Sequence, residues 1–223
     1  MHKADFKEKL ASINSKLPKG SSLLIVSKKR TLAEIKAYYD LGHRDFGENR
    51  VQDLEEKARA LRDECPEIRW HMIGHLQSNK VNQLFSVPNL FAIHSVHDQE
   101  LLDKLKKAED RLSGPINIFL QVNTSHEAEK SGFETYTELK SAAESAVTSE
   151  KLRLVGLMTM GTIRTEAFEA EARRCFEELN VEKNKLESEL NLTLQTSMGM
   201  SQDYEFALQE KSNWIRLGTI MFE

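Results

Sequence analysis

Apolar positions along the chain fall into two alternating rhythms. The first segment, residues 3–17, places Phe6, Leu10, Ile13 and Leu17 at helical spacing and stops where Pro18, Gly20 and two serines break the pattern. From there strand-like and helix-like stretches alternate. Strands are predicted over 23–27, 44–47, 68–73, 90–96, 116–123, 152–158, 192–196 and 214–222. Helices are predicted over 31–41, 51–64, 78–85, 99–112, 136–147, 166–190 and 204–210, one after each of the first seven strands. Gly42 and Pro66 end the first two, and Asp98 is placed to cap the helix that begins at Gln99. Near-continuous apolar runs such as INIFLQV (116–122) suit strands buried on both faces of a parallel sheet. Eight such units in about 200 residues match an α/β fold, a single (β/α)8 TIM-type barrel with an extra N-terminal helix. A doubly wound open sheet is the structural rival, because strand order is not written in one sequence. No low-complexity linker divides residues 1–223, which read as one barrel domain.

Composition narrows the class of partner. With 31 Lys+Arg against 35 Asp+Glu the net charge is -4, which gives no bulk attraction to nucleic acid or anionic lipid. Cys65 and Cys175 lie far apart and form no C-x-x-C pair, the pattern of reduced thiols rather than of a disulfide framework or a metal site. The charged start MHKADFKEKL lacks the apolar core of a secretory signal, and no apolar run approaches the ~20 residues of a membrane span. These features predict a cytoplasmic, soluble protein without nucleic-acid or membrane partners.

Candidate chemistry collects at the predicted C-terminal ends of the strands, where barrels of this kind place their working groups. The strand 23–27 runs straight into Lys28 and Lys29, an unusual place for a strongly hydrated charge. Such lysines either snorkel into solvent or form a Schiff base with an aldehyde. After the seventh strand comes SMGMS (197–201) and within the eighth RLGT (216–219). Taken singly these are turns that need glycine and an N-cap. Taken together, in the loops that often bind phosphate and facing a lysine at strand one, they favour a phosphorylated aldehyde, pyridoxal 5'-phosphate (PLP). His71, His75, His94 and His97 show no metal-ligand spacing. His75 reads as pocket rim, Glu127 and Lys130 as a loop-fixing ion pair, and Met158 and Met160 as pocket wall and core.

The segments LLIVSKKRT (23–31), RDFGENRVQD (44–53), RWHMIGHLQSNK (69–80), IHSVHD (93–98), FLQVNTSHEAEKSGF (119–133), LVGLMTMGT (154–162), TSMGMSQDYEFAL (196–208) and WIRLGTIMF (214–222) resemble the successive motifs of the PLP homeostasis proteins (YggS-like). The resemblance runs in order over nearly the whole chain, and GHLQSNK, EKSGF and SMGMS-x-D together are highly specific. It implies the barrel of fold-type III PLP enzymes, shared with the N-terminal domain of alanine racemase. It also implies a protein of intracellular PLP (vitamin B6) homeostasis that binds PLP covalently without robust turnover, with apo PLP-dependent enzymes as candidate recipients. A weak PLP-dependent amino-acid racemase is the alternative.

By resemblance the Schiff-base lysine is Lys28; strand alternation alone separates it from Lys29 without saying which faces inward. Ser197, with backbone of Met198, Gly199, Gly218 and Thr219, would hold the phosphate, and Asn49 would line the ring or its phosphate side. Arg216 would point at the pyridine nitrogen. A guanidinium only donates, so that nitrogen would stay unprotonated and the ring would be a weak electron sink. Alanine racemase adds a tyrosine from a second domain, and the chain ends at Glu223 without such a domain; a monomer is the expected state. The sequence departs from the family at Arg50, where relatives often carry tyrosine.

Overall fold

The computed structural model describes residues 3–162 and 166–223. Its strands are β1 (Ser22–Val26), β2 (Asp45–Glu48), β3 (Arg69–Met72), β4 (Leu90–Val96), β5 (Ile116–Gln121), β6 (Leu152–Met158), β7 (Gln195–Ser197) and β8 (Trp214–Leu217). They pair in parallel, each with the next, and β8 closes back on β1 with Leu24 opposite Arg216. This closed barrel excludes the open-sheet rival.

The helices are α1 (Lys3–Lys16), α2 (Leu32–Asp40), α3 (Val51–Ala60), α4 (Val81–Leu84), α5 (Gln99–Ala108), α6 (Tyr136–Ala146), α7 (Phe168–Leu190), α8 (Tyr204–Gln209) and α9 (Thr219–Phe222). Local chemistry sets several of their starts. Thr31 and Glu34 form a reciprocal capping box at α2, as Thr135 and Glu138 do at α6. Asp98 accepts from the Leu101 amide at 2.7 Å and opens α5, as its spacing predicts.

Two of the predicted strands differ. The eighth ends at Leu217 rather than running to residue 222, because Gly218 turns the chain into α9. That short helix is fixed by packing: the Tyr38 hydroxyl donates to the Met221 carbonyl, and the Phe222 ring meets Tyr38 and Phe6 edge-on. The seventh strand begins at Gln195, three residues late, because the amides of Leu192 and Leu194 are held by Glu187 at the end of α7. The predicted helix 78–85 splits into a tight turn at Ser78–Lys80 and α4.

The main core lies between the helices and the outer face of the barrel, with Trp70, Tyr38, Phe46 and Phe176 among its fully buried side chains. A separate small cluster of Ala92, Phe119 and Met158 packs inside the barrel. The rest of the interior is unusually polar, and this is what shapes the site.

Candidate functional site

A cavity of about 870 Å³ opens where the strands end, within the roughly 300–1,000 Å³ typical of small-molecule sites. Lys28 lies on its wall, not in β1 but in the turn that follows it, where the Arg30 amide bonds back to the Ser27 carbonyl at 3.0 Å. Lys29 takes a left-handed φ of 60° and is absent from the wall.

Beneath that turn sits a buried ion pair. Lys57 from α3 donates to Glu48 Oε1 at 2.6 Å and to the Ser27 carbonyl at 2.8 Å, while Ser27 Oγ donates to the same Glu48 oxygen at 2.7 Å. Burial pushes the Glu48 carboxyl above its ordinary value, and the Lys57 and Ser27 hydrogen bonds oppose that rise. Its second oxygen has no hydrogen-bond partner among the described residues. The clamp fixes the carbonyl one residue before Lys28.

Asn49 follows β2 and reaches the cavity because Gly74 lets it pass: a Cβ on Gly74 would sit 2.2 Å from the Asn49 carbonyl oxygen. His75, next in the chain, stands on the rim, with Nδ1 3.2 Å from Ser131 Oγ and its ring 4.3 Å from that of His97. Lys130 binds Glu127 at 2.8 Å, the loop-fixing pair read from the sequence, but it also binds the Gly161 carbonyl and lines the cavity.

Arg216 is 4% exposed, and its side chain bridges the strands. Nη1 donates to Ser197 O at 2.7 Å and to Ser197 Oγ at 2.8 Å, and Nη2 to Thr159 O at 2.9 Å. Burial lowers its pKa to about 10, so the guanidinium remains charged at neutral pH. Three of its five N–H groups are thereby used, and two have no protein acceptor among the described residues.

Gly218 and Thr219 reach the cavity as expected; Ser197, Met198 and Gly199 do not. Ser197 closes β7 with its hydroxyl turned into the barrel, bonded to His94 and Arg216. Met198 is fully buried in the main core. Gly199 has φ +94° and supports α8: a Cβ there would meet Ala207 Cβ at 2.6 Å. The cavity wall begins one residue later, at Met200, and continues through Ser201, Gln202 and Asp203. Asp203 shapes this turn by accepting from the Met200 amide. Burial raises its carboxyl above the ordinary range, with the Met200 hydrogen bond opposing. The amides of Ser201, Gln202, Gly218 and Thr219 make no hydrogen bond to protein among the described residues. Four unspent N–H groups on two adjacent loops form an anion cradle. The sequence reading put the phosphate at Ser197, Met198 and Gly199; the cavity wall lies in the later residues of the same loop, past a β7 that runs to Ser197.

The match to known proteins agrees with this architecture. Residues 1–223 match the family model described as alanine racemase, N-terminal domain. The chain is 34% identical over 200 residues to the pyridoxal phosphate homeostasis protein of Schizosaccharomyces pombe, a span of 90% of this chain and 82% of that one. The chain belongs to the pyridoxal phosphate homeostasis proteins of the alanine racemase N-terminal domain family. Its similarity to the family member of Helicobacter pylori strain 26695 is 32% over 228 residues, covering 98% and 99% of the two chains. Among solved structures it resembles PipY of Synechococcus elongatus PCC7942, described with PLP bound, at a TM-score of 0.87 and 32% identity over 98% of this chain and all of that one. Alanine racemase from E. faecalis shares the fold at a TM-score of 0.73 and 17% identity, and this chain spans 58% of it.

Proposed function

We propose that the cavity binds PLP and that the protein serves intracellular PLP homeostasis, holding the cofactor on Lys28 without robust turnover. The observation that carries this reading is the pairing, across one cavity, of the Lys28 amine with the four unspent amides after β7 and β8. The lysine amine adds to the aldehyde carbon and water leaves, which gives a Schiff base. The amides of Ser201, Gln202, Gly218 and Thr219 receive the phosphate, with Ser197, Met198 and Gly199 shaping that wall from behind. Asn49 borders the ring. Bound PLP supplies an electrophilic ring that withdraws electrons from attached carbon.

Arg216 limits that withdrawal. It stays protonated, has donors to spare and cannot accept, so it favours an unprotonated ring nitrogen. This supports a carrier over a racemase, as do the relatives named homeostasis proteins. Apo PLP-dependent enzymes are the recipients in this reading, and the carrier is a cytoplasmic monomer. No helix among the described residues is long and apolar enough to cross a membrane, and both cysteines are buried and free.

The test is borohydride reduction of PLP-loaded protein followed by peptide mass mapping. A pyridoxyl group on Lys28, with the visible absorbance band lost in Lys28→Ala, is the expected result. A label on Lys29 would overturn the lysine assignment, and no adduct anywhere would overturn the PLP reading. Exchange of the Cα proton of L-alanine in deuterated water at ordinary enzymatic rates would replace the carrier by a racemase.

A further inference from the structure

A line of buried polar side chains crosses the barrel interior beneath the cavity. It begins at Asp45 on β2, whose Oδ1 lies 3.1 Å from His71 Nε2 on β3. His71 Nδ1 lies 2.9 Å from His94 Nε2 on β4, and His94 Nδ1 lies 2.8 Å from Ser197 Oγ on β7. Ser197 Oγ accepts from Arg216 on β8 at 2.8 Å. All five residues are buried, the most exposed being Asp45 at 6%.

The two ends fix the direction of every proton between them. Arg216 can only donate and ionised Asp45 can only accept. With both rings neutral, Asp45 takes the His71 Nε2 proton, His71 Nδ1 takes that of His94 Nε2, and His94 Nδ1 takes the Ser197 hydroxyl hydrogen, while Ser197 Oγ accepts from Arg216. The chain closes without a conflict. Arg69 also donates to Asp45 from the solvent side, and Asp203 stands near Arg216 at the other end. Both histidines are fully buried in ring contacts: His94 stacks on Phe119 at 4.2 Å, and His71 packs against Trp214 at 5.3 Å. A random set of buried polar groups would leave some lone pair or proton unmatched. Here every link between neighbouring members pairs one donor with one acceptor, across five strands.

We propose that Asp45, His71, His94 and Ser197 form a positioning relay for Arg216, a one-way chain of hydrogen bonds across the barrel that fixes the rotation of its guanidinium. The relay leaves the two spare N–H groups of Arg216 free for a ligand. That the ligand is PLP, met at its ring nitrogen, rests on the proposed function; the relay itself does not. None of the four relay residues lines the cavity, so an effect on the ligand must travel through Arg216.

Two measurements test this. The first uses unaltered, ligand-free protein labelled with 15N-histidine. Imidazole spectra are expected to show His71 and His94 neutral, each with its proton on Nε2, and unchanged between pH 7 and 5.5. An Nδ1–H tautomer or titration of either ring in that window would overturn the relay, whatever the protein binds. The second compares PLP-loaded wild type with Asp45→Asn and Ser197→Ala. Both variants are expected to shift the visible absorbance maximum and to weaken PLP affinity about tenfold, the scale of one charge-assisted hydrogen bond. A core variant remote from the relay, Leu139→Ala in α6, is expected to lower the melting temperature without moving the spectrum. Spectrum and affinity unchanged within twofold in folded Asp45→Asn and Ser197→Ala would sink the relay and leave PLP binding intact. If wild type takes up no PLP, the proposed function fails and the imidazole spectra alone decide the relay.

Discussion

Gly199→Ala separates two roles for the glycine in SMGMS. If it contacts phosphate, the substitution should cost ligand affinity and little stability. The geometry assigns the opposite. The residue has φ +94°, and its added Cβ would lie 2.6 Å from Ala207 Cβ and 3.0 Å from Tyr204 Cα. An L-residue in the left-handed region costs about 1–2 kcal/mol, and overpacking a tight contact about 1–3 kcal/mol more. The sum, roughly 2–5 kcal/mol, should lower the melting temperature by roughly 5–15 °C for a chain of this size. Ala207→Gly removes the shorter contact but leaves the backbone strain and the Tyr204 contact. Combined with Gly199→Ala it should therefore recover about 1–2 kcal/mol relative to additivity, beyond the ~1 kcal/mol that glycine itself costs in a helix. Urea denaturation of the four proteins of the cycle gives these numbers, provided the m-values agree. A melting temperature within ~2 °C of wild type together with a large loss of PLP affinity would refute the packing argument and return Gly199 to the ligand.

Three further outcomes follow from buried groups. Lys57→Met leaves the Glu48 carboxyl buried without its cation, at a cost of about 3 kcal/mol or more by thermal or urea denaturation, whereas Glu48→Gln should cost less; equal effects would mean that the pair is not electrostatic. Gly74→Ala forces a Cβ into the Asn49 backbone, so stability should fall by about 3 kcal/mol and PLP uptake with it; retention of both would show that the Asn49 turn moves freely. Burial holds the pKa values of His71 and His94 below the ordinary value. Stability from such depressed groups is present above the unfolded pKa of ~6.5 and is lost as pH falls below it. Glu48 and Asp203, shifted upward, work in the other direction and offset part of this. His43, whose pKa burial lowers to about 4, adds to the loss. Urea denaturation should give lower stability at pH 5.5 than at pH 7, and equal or greater stability at pH 5.5 would contradict neutral buried histidines.

The barrel was legible because parallel strands buried on both faces leave a strong local record: apolar runs, capping residues and glycine stops. Lys28, Asn49, Gly218 and Thr219 were read as strand ends from the same record, while the choice of Lys28 over Lys29 and the place of Arg216 came from the family resemblance; all five line the cavity. That the cavity wall lies beyond Ser197–Gly199 was hidden by length. A three-residue strand has too few positions for alternation to show, and Glu187 delays its start from a distant helix. Strand eight was overextended because IMF reads equally as strand or helix, and only Tyr38 and Phe6 decide between them. The interior relay left no local signal at all. Its links join residues 26, 23, 103 and 19 positions apart, so no window of sequence contains more than one of them. Each histidine, read singly, only failed a test for metal spacing.

The arrangement also explains why Arg216 is tied to one hydroxyl and two backbone carbonyls rather than to a carboxylate fork. A carboxylate directly against the guanidinium would take two donors in a fork and hold the side chain by the groups a ligand needs. Full burial with no counter-charge would penalise the cation through desolvation. Asp203 acts on the cation without a fork, and the three neutral groups between Arg216 and Asp45 orient it. The chain polarises toward the anion, one donor of the arginine is spent on the hydroxyl that starts it, and two remain unspent. The same logic fixes what the cavity can do with an aromatic nitrogen. A donor that is rigid and charged cannot accept a proton from the ring or rotate away from it. On the proposed function the ring nitrogen would meet Arg216 as an acceptor, an arrangement that suits holding a reactive cofactor more than driving carbanion chemistry through it.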